Sequence, residues 1–430
     1  MVLPTTPGAT RRLGLFVIVA AVLWHLVAVL SPPRVPPPKD TEGRDFASYY
    51  YAAKVAAQGG DPYDKAALVS MANAEATRAD VHPYFYPPPF LWLVAWSPVV
   101  DLHQGFGLWF LLNEMALLAA CVALVRWWAP FSDAVAPLLA VLVALMYGVA
   151  YSSELGQANF PVLALIVLAL ASERRRPELA GVLLGIAAMW KMSPALFVVW
   201  WLVRGRWRAA GAAVATAIVS SLLTLPLLDF WHQIEFYTQI LPRFGSGDYN
   251  GLTIQIGMFA NHSVPNLLHQ AFPADDNRLS GMGRIGSTLF TLTVLAVGAW
   301  LYRRKTDDPV KTAAQACSVL VAMLLIPVYT YEHHLVFALP SMLMAVVGVQ
   351  RGWLDRRLAV PLGIAIAILL YDQPAVRQFD LRVVTDRHAR AFLIVQEAKF
   401  FALCFVGAVV TWLGATAVDD PTRAPVPEPA

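Results

Sequence analysis

Residues 13–30 read LGLFVIVAAVLWHLVAVL, an apolar stretch that directly follows Arg11 and Arg12. This run has 18 residues and no acidic or basic residue other than one histidine, so it is long enough to cross a bilayer as a helix. The basic flank is also typical of a signal peptide, but no small-residue cleavage site follows. The sequence therefore predicts a retained first transmembrane helix.

The composition of the whole chain agrees with this prediction. Of 430 residues, 58% are hydrophobic and only 14% are charged, whereas soluble domains have about 25% charged residues. A net charge of +3 leaves no basic stripe, so nucleic acid is excluded as a predicted partner. The three cysteines lie in apolar runs without metal-ligand spacing, and there is no phosphate-binding loop. We expect neither a cofactor nor a divalent metal.

Further apolar runs define the predicted fold. The spanning candidates lie at 104–125, 134–150, 158–172, 209–228, 285–302, 312–328, 334–350, 358–371 and 395–416. They predict an all-α polytopic membrane protein with a bundle of about 10–12 transmembrane helices. Clusters of arginine and lysine favour the cytoplasmic side of a membrane. If both termini are cytoplasmic, every such cluster falls on that side.

The run at 179–203 differs from the others because basic clusters flank it on both sides, at 174–176 and 204–208. Both of its ends should therefore lie on one side of the membrane. Lys191 and Pro194 fall near the midpoint, and proline prevents a continuous helical hydrogen-bond ladder. We predict a broken helical hairpin; the alternative is one straight helix in which the Lys191 side chain extends to the interface.

The remaining connections are predicted to face outward, at 31–103, 151–157, 229–284, 329–333 and 372–394. The first of them begins with a proline-rich stretch, and residues 45–53 then predict a helix that lies at the membrane surface. Residues 1–417 form a single predicted domain, with 31–103 and 229–284 as its two large outer loops. Residues 418–430 are predicted to be a disordered cytoplasmic tail.

An ordered series of short motifs runs through this predicted bundle. The series consists of Asp45 with Tyr49 and Tyr50, Gly60-Asp61-Pro62-Tyr63-Asp64, Tyr86-Pro87-Pro88, Gly156-Gln157-Ala158-Asn159, Gly185 with Lys191 and Pro194, Asn261-His262-Ser263, and Pro327 with His333-His334. In this order, over about residues 40–340, it resembles glycosyltransferase family 87 of the GT-C superfamily. That family includes polyprenol-phosphate-mannose-dependent mannosyltransferases and is related to arabinofuranosyltransferases. Beyond about residue 345 the likeness is hydrophobicity alone.

The resemblance implies a lipid-phosphate sugar donor, an acceptor on the outer face and inversion at the anomeric carbon. It also implies an acidic residue of the first outer loop as the base, which is Asp45 here. Sugar transfer requires such a carboxylate to accept the proton of the acceptor hydroxyl. Without the resemblance, a helix cap or a solvated loop carboxylate is the better explanation of Asp45.

The other candidate residues divide into two groups. Groups that could hold the leaving phosphate are Lys191, His333, His334 and Arg243. Groups that could contact sugar or acceptor are Tyr49, Tyr86, Gln157, Asn159, Asn261, His262 and Glu332. Structural alternatives remain open for both groups: helix capping by the amides, stacking of the histidines on aromatic rings, and a solvated Arg243.

The leading hypothesis is a glycosyltransferase in a bacterial plasma membrane, with its active site on the extracytoplasmic side. It would transfer a hexose from a polyprenyl-phosphate sugar to a lipid-linked or cell-envelope glycan, and mannose is the leading candidate for that hexose. An arabinofuranosyl donor is the nearest variant. A transporter or flippase is the alternative class, although no internal repeat supports it. An O-antigen ligase would have an arginine-rich outer loop, whereas 229–284 holds only Arg243, Arg278 and Arg284.

Overall fold

A computed structural model describes most of the chain, namely residues 7–31, 43–75, 81–253, 256, 260–274, 278–303, 306–371 and 397–416. The predicted connection at 372–394 and the predicted tail at 418–430 lie outside the described residues. The described chain is built of helices and one two-residue strand pair, which confirms the predicted all-α, polytopic class.

The α-helices are numbered here in chain order along the described residues. They are α1 (Pro7–Leu30), α2 (Arg44–Ala57), α3 (Lys65–Ala74), α4 (Phe90–Val94), α5 (Leu102–Trp128), α6 (Val135–Leu145), α7 (Tyr147–Leu155), α8 (Asn159–Ser172), α9 (Pro177–Trp190), α10 (Leu196–Val203), α11 (Trp207–Leu223), α12 (Phe230–Glu235), α13 (Val264–Ala271), α14 (Gly281–Tyr302), α15 (Pro309–Leu325), α16 (Leu339–Gln350), α17 (Ala359–Leu370) and α18 (Ala398–Ala415). Short 3-10 turns lie at Ser97–Val99, Ser193–Ala195, Leu241–Ser246, Glu332–Ala338 and Arg356–Leu358, and a π-turn at Phe236–Ile240.

Five helical segments of the described chain are long and apolar enough to cross a membrane. They are Arg11–Leu30, Leu102–Trp128, Gly281–Tyr302, Glu332–Gln350 and Ala398–Ala415. The pair α6 and α7 adds a sixth if it counts as one bent span. Several other predicted spans, including those at 158–172, 209–228 and 312–328, appear as apolar helices of fewer than 18 residues. The predicted total of about 10–12 therefore stays a prediction.

The span predicted at 134–150 consists of two helices rather than one straight helix, because the helix is broken at Met146, where α6 and α7 meet at 59°. Met146 has extended backbone angles, so the hydrogen-bond ladder stops there. Close packing accounts for the direction of α7: a Cβ at Gly148 would lie 2.3 Å from the Glu332 carbonyl oxygen. Only glycine lets α7 lie this close to the turn at Glu332–Ala338.

The interruption predicted within 179–203 is observed. Helix α9 ends at Trp190, a 3-10 turn follows at Ser193–Ala195, and α10 completes the segment. The two flanks of the segment meet again, because Arg204 Nη1 contacts Glu173 Oε1 at 3.0 Å and both side chains are buried. The chain therefore leaves this end of the bundle through α9 and returns to it through α10.

Two glycines on one face of α9 allow a close parallel contact with α11. A Cβ at Gly181 would lie 2.3 Å from the carbonyl oxygen of Ala209, and one at Gly185 would lie 2.7 Å from that of Ala213. Small residues spaced four apart are the usual means by which membrane helices approach each other closely. This contact fixes α9, and with it the position of the break at Lys191.

The two large loops form one structural unit. The helix predicted at 45–53 is observed as α2, whose side chains are buried almost all round rather than on one face, and its position at the membrane surface stays a prediction. Strands β1 (Asp248–Tyr249) and β2 (Leu252–Thr253) form an antiparallel hairpin in the second loop, through a turn at Asn250 and Gly251 with positive φ angles. The Asn250 amide donates to the carbonyls of Tyr63 and Tyr84 at 2.7 and 2.9 Å, which joins the hairpin to the first loop.

Gly181→Ala is expected to lower stability, although alanine is the better helix former. The added methyl overlaps the backbone of α11, and overpacking of this kind costs about 1–3 kcal/mol. Gly211→Ala is the matched control on α11, because a Cβ there meets nothing within 4 Å. Thermal unfolding in detergent should give shifts of opposite sign for the two variants. Equal shifts would contradict the close contact.

Candidate active site

A cavity of about 1790 Å³ lies between the helical bundle and the two large loops. Its walls come from α1, the start of α2, the bend between α6 and α7, the break after α9, the β-hairpin and the chain at 326–334. Seven of the predicted site residues line it: Asp45, Tyr86, Gln157, Lys191, Glu332, His333 and His334. The sequence placed them in four distant segments, and the fold brings them together.

Asp45 lies in the first turn of α2, on the cavity wall. The helix start is fixed because the Gly43 amide donates to the Glu154 carbonyl at 2.9 Å, and the fully buried Phe46 packs on Trp109. Removal from bulk solvent raises the pKa of the Asp45 carboxyl, while Arg44 and a hydrogen bond from Gln157 oppose this rise. The alternative role as a helix cap is not observed, because the capping position is Gly43.

A chain of hydrogen bonds orients the Gln157 amide toward Asp45. The Tyr49 hydroxyl donates to the Tyr86 hydroxyl at 2.6 Å, and the latter donates to Gln157 Oε1 at 3.3 Å. Gln157 Nε2 then donates to Asp45 Oδ2 at 2.5 Å. Burial raises the pKa of both phenols, so they stay protonated and can act as these donors. The result is a donor aimed at the carboxylate form of Asp45.

Lys191 reaches the cavity from the break after α9. Its Nζ donates to Asn159 Oδ1 at 2.5 Å and lies 5.8 Å from the centre of the Phe337 ring. Asn159 Nδ2 donates to the backbone carbonyl of His333 at 2.8 Å. Asn159 itself is fully buried and does not line the cavity. Its observed contacts join Lys191 to the segment that carries His333 and His334.

The turn at 329–334 is held from behind by the Asn261-His262-Ser263 motif. Asn261 Oδ1 accepts from the Thr330 amide at 2.9 Å, and the His262 amide donates to the Thr330 carbonyl at 2.7 Å. Ser263 Oγ donates to the Val328 carbonyl at 3.0 Å. All three side chains are buried, and the structure uses them to position the turn. Asn261 and His262 do not line the cavity toward which the sequence analysis directed them.

Glu332 is the centre of a buried charge cluster. Its Oε1 lies 3.0 Å from His262 Nε2, and its Oε2 accepts from Lys399 Nζ at 2.5 Å. Lys399 is fully buried and also donates to the Tyr371 carbonyl at 2.7 Å. Because an ionised carboxylate only accepts hydrogen bonds, His262 Nε2 carries the hydrogen in this pair. The cluster ties α18 to the cavity wall.

The two adjacent histidines differ in their surroundings. The Tyr331 amide donates to His334 Nδ1 at 3.0 Å, so a neutral His334 ring carries its hydrogen on Nε2. His333 is buried, its ring centre lies 6.0 Å from that of Tyr151, and its Nδ1 has no hydrogen-bond partner among the described residues. Both rings line the cavity and can present polar nitrogen atoms there.

Two cationic residues differ from the prediction. Arg243 is exposed in the turn at Leu241–Ser246 and is absent from the cavity lining. Arg44, which the sequence analysis did not single out, does line the cavity. Lys399 was also missed, although it carried the signal that identified Lys191, a lysine in an apolar run. Among the described residues, no three His, Cys, Asp or Glu side chains are grouped to hold a metal ion.

A bundle of apolar helices around a cavity that holds a carboxylate, a lysine and two histidines defines a multi-pass membrane protein with a recessed polar site. Residues 84–327, more than half of the chain, match the sequence profile of glycosyltransferase family 87, and the chain belongs to this family. Lys191, Gln157 and Asn159 lie within the matched part. Asp45 and the two histidines lie outside it.

Two curated relatives are similar to part of the chain. Both are named polyprenol-phosphate-mannose-dependent alpha-(1-2)-phosphatidylinositol mannoside mannosyltransferase. The one from Mycobacterium tuberculosis is 30% identical over 210 residues, which cover 48% of this chain and 44% of that protein. The one from Mycolicibacterium smegmatis is 28% identical over 225 residues, which cover 49% and 47%. The matches thus span about half the length of these relatives.

Lys399→Met is expected to lower the free energy of unfolding by about 3–5 kcal/mol, because it leaves Glu332 charged, buried and without its cationic partner. Lys54→Met is the matched control, since Lys54 pairs with Glu75 near the surface, where a salt bridge contributes about 0–1 kcal/mol. Unfolding in detergent, followed by tryptophan fluorescence, measures both losses.

A second variant separates the charge from the packing. Replacing Glu332 by Gln in the Lys399→Met background removes the unpaired charge, so stability should recover in part. If Lys399→Met lost no more stability than Lys54→Met, the central place of the buried cluster would be wrong.

Proposed function

We propose that this chain is an inverting glycosyltransferase that takes a hexose from a polyprenyl-phosphate sugar. The acceptor is a lipid-linked or cell-envelope glycan, and Asp45 is the general base. Mannose is proposed as the sugar because both curated relatives are named mannosyltransferases that depend on polyprenol-phosphate-mannose. An arabinofuranosyl donor would use the same base and the same phosphate contacts.

The observation that carries this proposal is the juxtaposition of Asp45 and Lys191 on one cavity. A carboxylate and a cation are the two groups that the reaction requires, one for the proton and one for the leaving phosphate. Lys191 favours the charged form of Asp45 and so opposes the rise in pKa that burial causes, which supports the proximity of the two residues. The volume of about 1790 Å³ also exceeds that of a typical small-molecule site, which is about 300–1,000 Å³. It leaves room for two substrates.

The proposed step forms one bond and breaks another at the anomeric carbon. The acceptor oxygen attacks that carbon while its proton passes to the Asp45 carboxylate. The bond between the carbon and the phosphate oxygen breaks, and its electron pair stays on the phosphate. The donor phosphodiester carries one negative charge and the released monoester approaches two, so cationic and N–H donors stabilise the transition state more than the substrate.

Lys191 and His334 are the proposed contacts of the leaving phosphate. Asn159 holds Lys191 Nζ in place, so the ammonium needs little reorganisation when the charge develops. The tautomer assigned to His334 leaves an N–H on its Nε2 as a donor. Tyr86 and Gln157 are proposed to position Asp45. The extracytoplasmic side of a bacterial plasma membrane is the proposed location, because the basic clusters favour the cytoplasm for the opposite loops.

Asp45→Asn is expected to reduce transfer by at least about a hundredfold, since an amide cannot accept the proton. Asp64→Asn is the matched control in the same loop: Asp64 is exposed, caps α3, and an asparagine caps equally well. Purified protein is supplied with radiolabelled polyprenyl-phosphate-mannose and a lipid extract, and labelled product is counted. The amide also removes a partly buried charge, so the unfolding temperature should stay level or rise.

Equal transfer by wild type and Asp45→Asn would remove Asp45 from the mechanism. If no polyprenyl-phosphate sugar supported transfer and the protein instead gave substrate-driven flux in liposomes, the enzyme hypothesis would be wrong and a transporter would be favoured.

The pH dependence of transfer should show an acid limb above the ordinary range of an aspartate, because burial raises the pKa of Asp45 and only the deprotonated carboxylate acts as base. Gln157→Leu removes a hydrogen bond that favours the carboxylate, so the limb should move to still higher pH. Values of kcat/KM, obtained from initial rates between about pH 4 and 8, measure the shift. This is the range in which a carboxyl with a raised pKa titrates.

Gln315→Leu is the control for this shift, since Gln315 is a buried glutamine whose amide donates to the Gly414 carbonyl and which does not line the cavity. Its acid limb should coincide with that of wild type. A limb that stays in place, or moves to lower pH, in Gln157→Leu would separate the limb from Asp45.

A further inference from the structure

Arg44 is a cation of the cavity that the reaction as described does not use. It is the first residue of α2 and lines the same cavity as Lys191. Its Nε is buried and has no hydrogen-bond partner among the described residues. An unsatisfied guanidinium nitrogen inside a protein is costly, and a ligand that supplies acceptor oxygens removes that cost.

The position of Arg44 on its helix is unfavourable without such a ligand. A positive side chain in the first turn of a helix faces the positive end of the helix dipole, where acidic residues are preferred. The adjacent Asp45 does not compensate fully, because consecutive residues of a helix point in different directions. Asp45 Oδ2 instead accepts from Gln157. Arg44 therefore lines the cavity with an Nε that has no partner among the described residues.

Other positive groups near the cavity are already engaged or lie elsewhere. Lys399 is bound to Glu332 within the bundle, and Arg243 is exposed outside the cavity lining. Arg44 and Lys191 both favour the ionised form of the Asp45 carboxyl, and all three residues line the same cavity.

We propose that Arg44 binds the phosphate of the lipid-phosphate donor, and that it does so together with Lys191. A planar guanidinium can bind two phosphate oxygens at once, which an ammonium cannot. The release of a phosphomonoester adds negative charge at this point, and the second cation offsets it.

This inference rests on the proposed function, and the test uses the released product as its probe. A short-chain polyprenyl phosphate and the corresponding uncharged polyprenol are titrated in detergent micelles against the full chain, and binding is followed by tryptophan fluorescence. Wild type should bind the phosphate more tightly than the alcohol. Arg44→Gln should lose roughly tenfold or more of the affinity for the phosphate and none of that for the alcohol. Arg44→Lys should lie between them.

Arg284→Gln is the matched control, because Arg284 is an exposed arginine at the start of α14 and is absent from the cavity lining. It should bind the phosphate as wild type does. If Arg44→Gln is too unstable to purify, Arg44→Lys keeps the test open, since it retains the charge and loses the paired contact.

Two results would overturn the inference, and they are distinguishable. Unchanged affinity of Arg44→Gln for the phosphate would do so while leaving the proposed function intact, and an acid limb of transfer moved to higher pH in the same variant would then make Arg44 a residue that only tunes Asp45. A wild type that does not distinguish the phosphate from the alcohol would remove the proposed function itself.

Discussion

The bond between Lys399 Nζ and Glu332 Oε2, 2.5 Å long and closed off from solvent, is the constraint on which the cavity depends. In apolar surroundings neither charge is tolerable alone, so the last described helix and the turn at 329–334 must stay together. That turn carries both histidines and is the surface on which α7 rests at Gly148. A single ion pair thus fixes one wall of the site and the bend of the helix opposite.

The groups of the cavity are positioned by buried neighbours, some of which do not themselves line it. Asn159 sets the position of Lys191, and two tyrosines set the direction of the Gln157 amide. Each of these neighbours is buried, and each hydrogen bond leaves its donor or acceptor little freedom to rotate. Polar groups oriented in advance stabilise developing charge without the reorganisation that water would need. The aromatic content of the first loop serves this scaffold.

Much of the fold was predictable because it depends on local pattern. The proline and lysine at 191–194 marked the break after α9, and the apolar runs marked most helices. The bend at Met146 was not predictable, since no proline lies there and its cause is a contact with Glu332, far away in sequence. Short polar residues such as Asn159 and Asn261 were recognised as important, but their spacing does not tell a ligand contact from a buried hydrogen bond.

Arg44 escaped the sequence analysis because it lies in the mixed-charge stretch KDTEGRD, at 39–45, where one arginine does not stand out. Asp45 was found through the resemblance and not through its own surroundings. A candidate site of this kind needs both sources: family motifs identify the base, and packing in three dimensions identifies which cations share its cavity.

The hydrogen bonds of Asn250 to the carbonyls of Tyr63 and Tyr84 have a practical meaning for protein engineering. One amide recognises two points of backbone in a loop almost two hundred positions earlier in the chain. A chimera that receives either loop alone from another family member would lose this recognition at the seam. The two loops are therefore a single cassette, to be exchanged together.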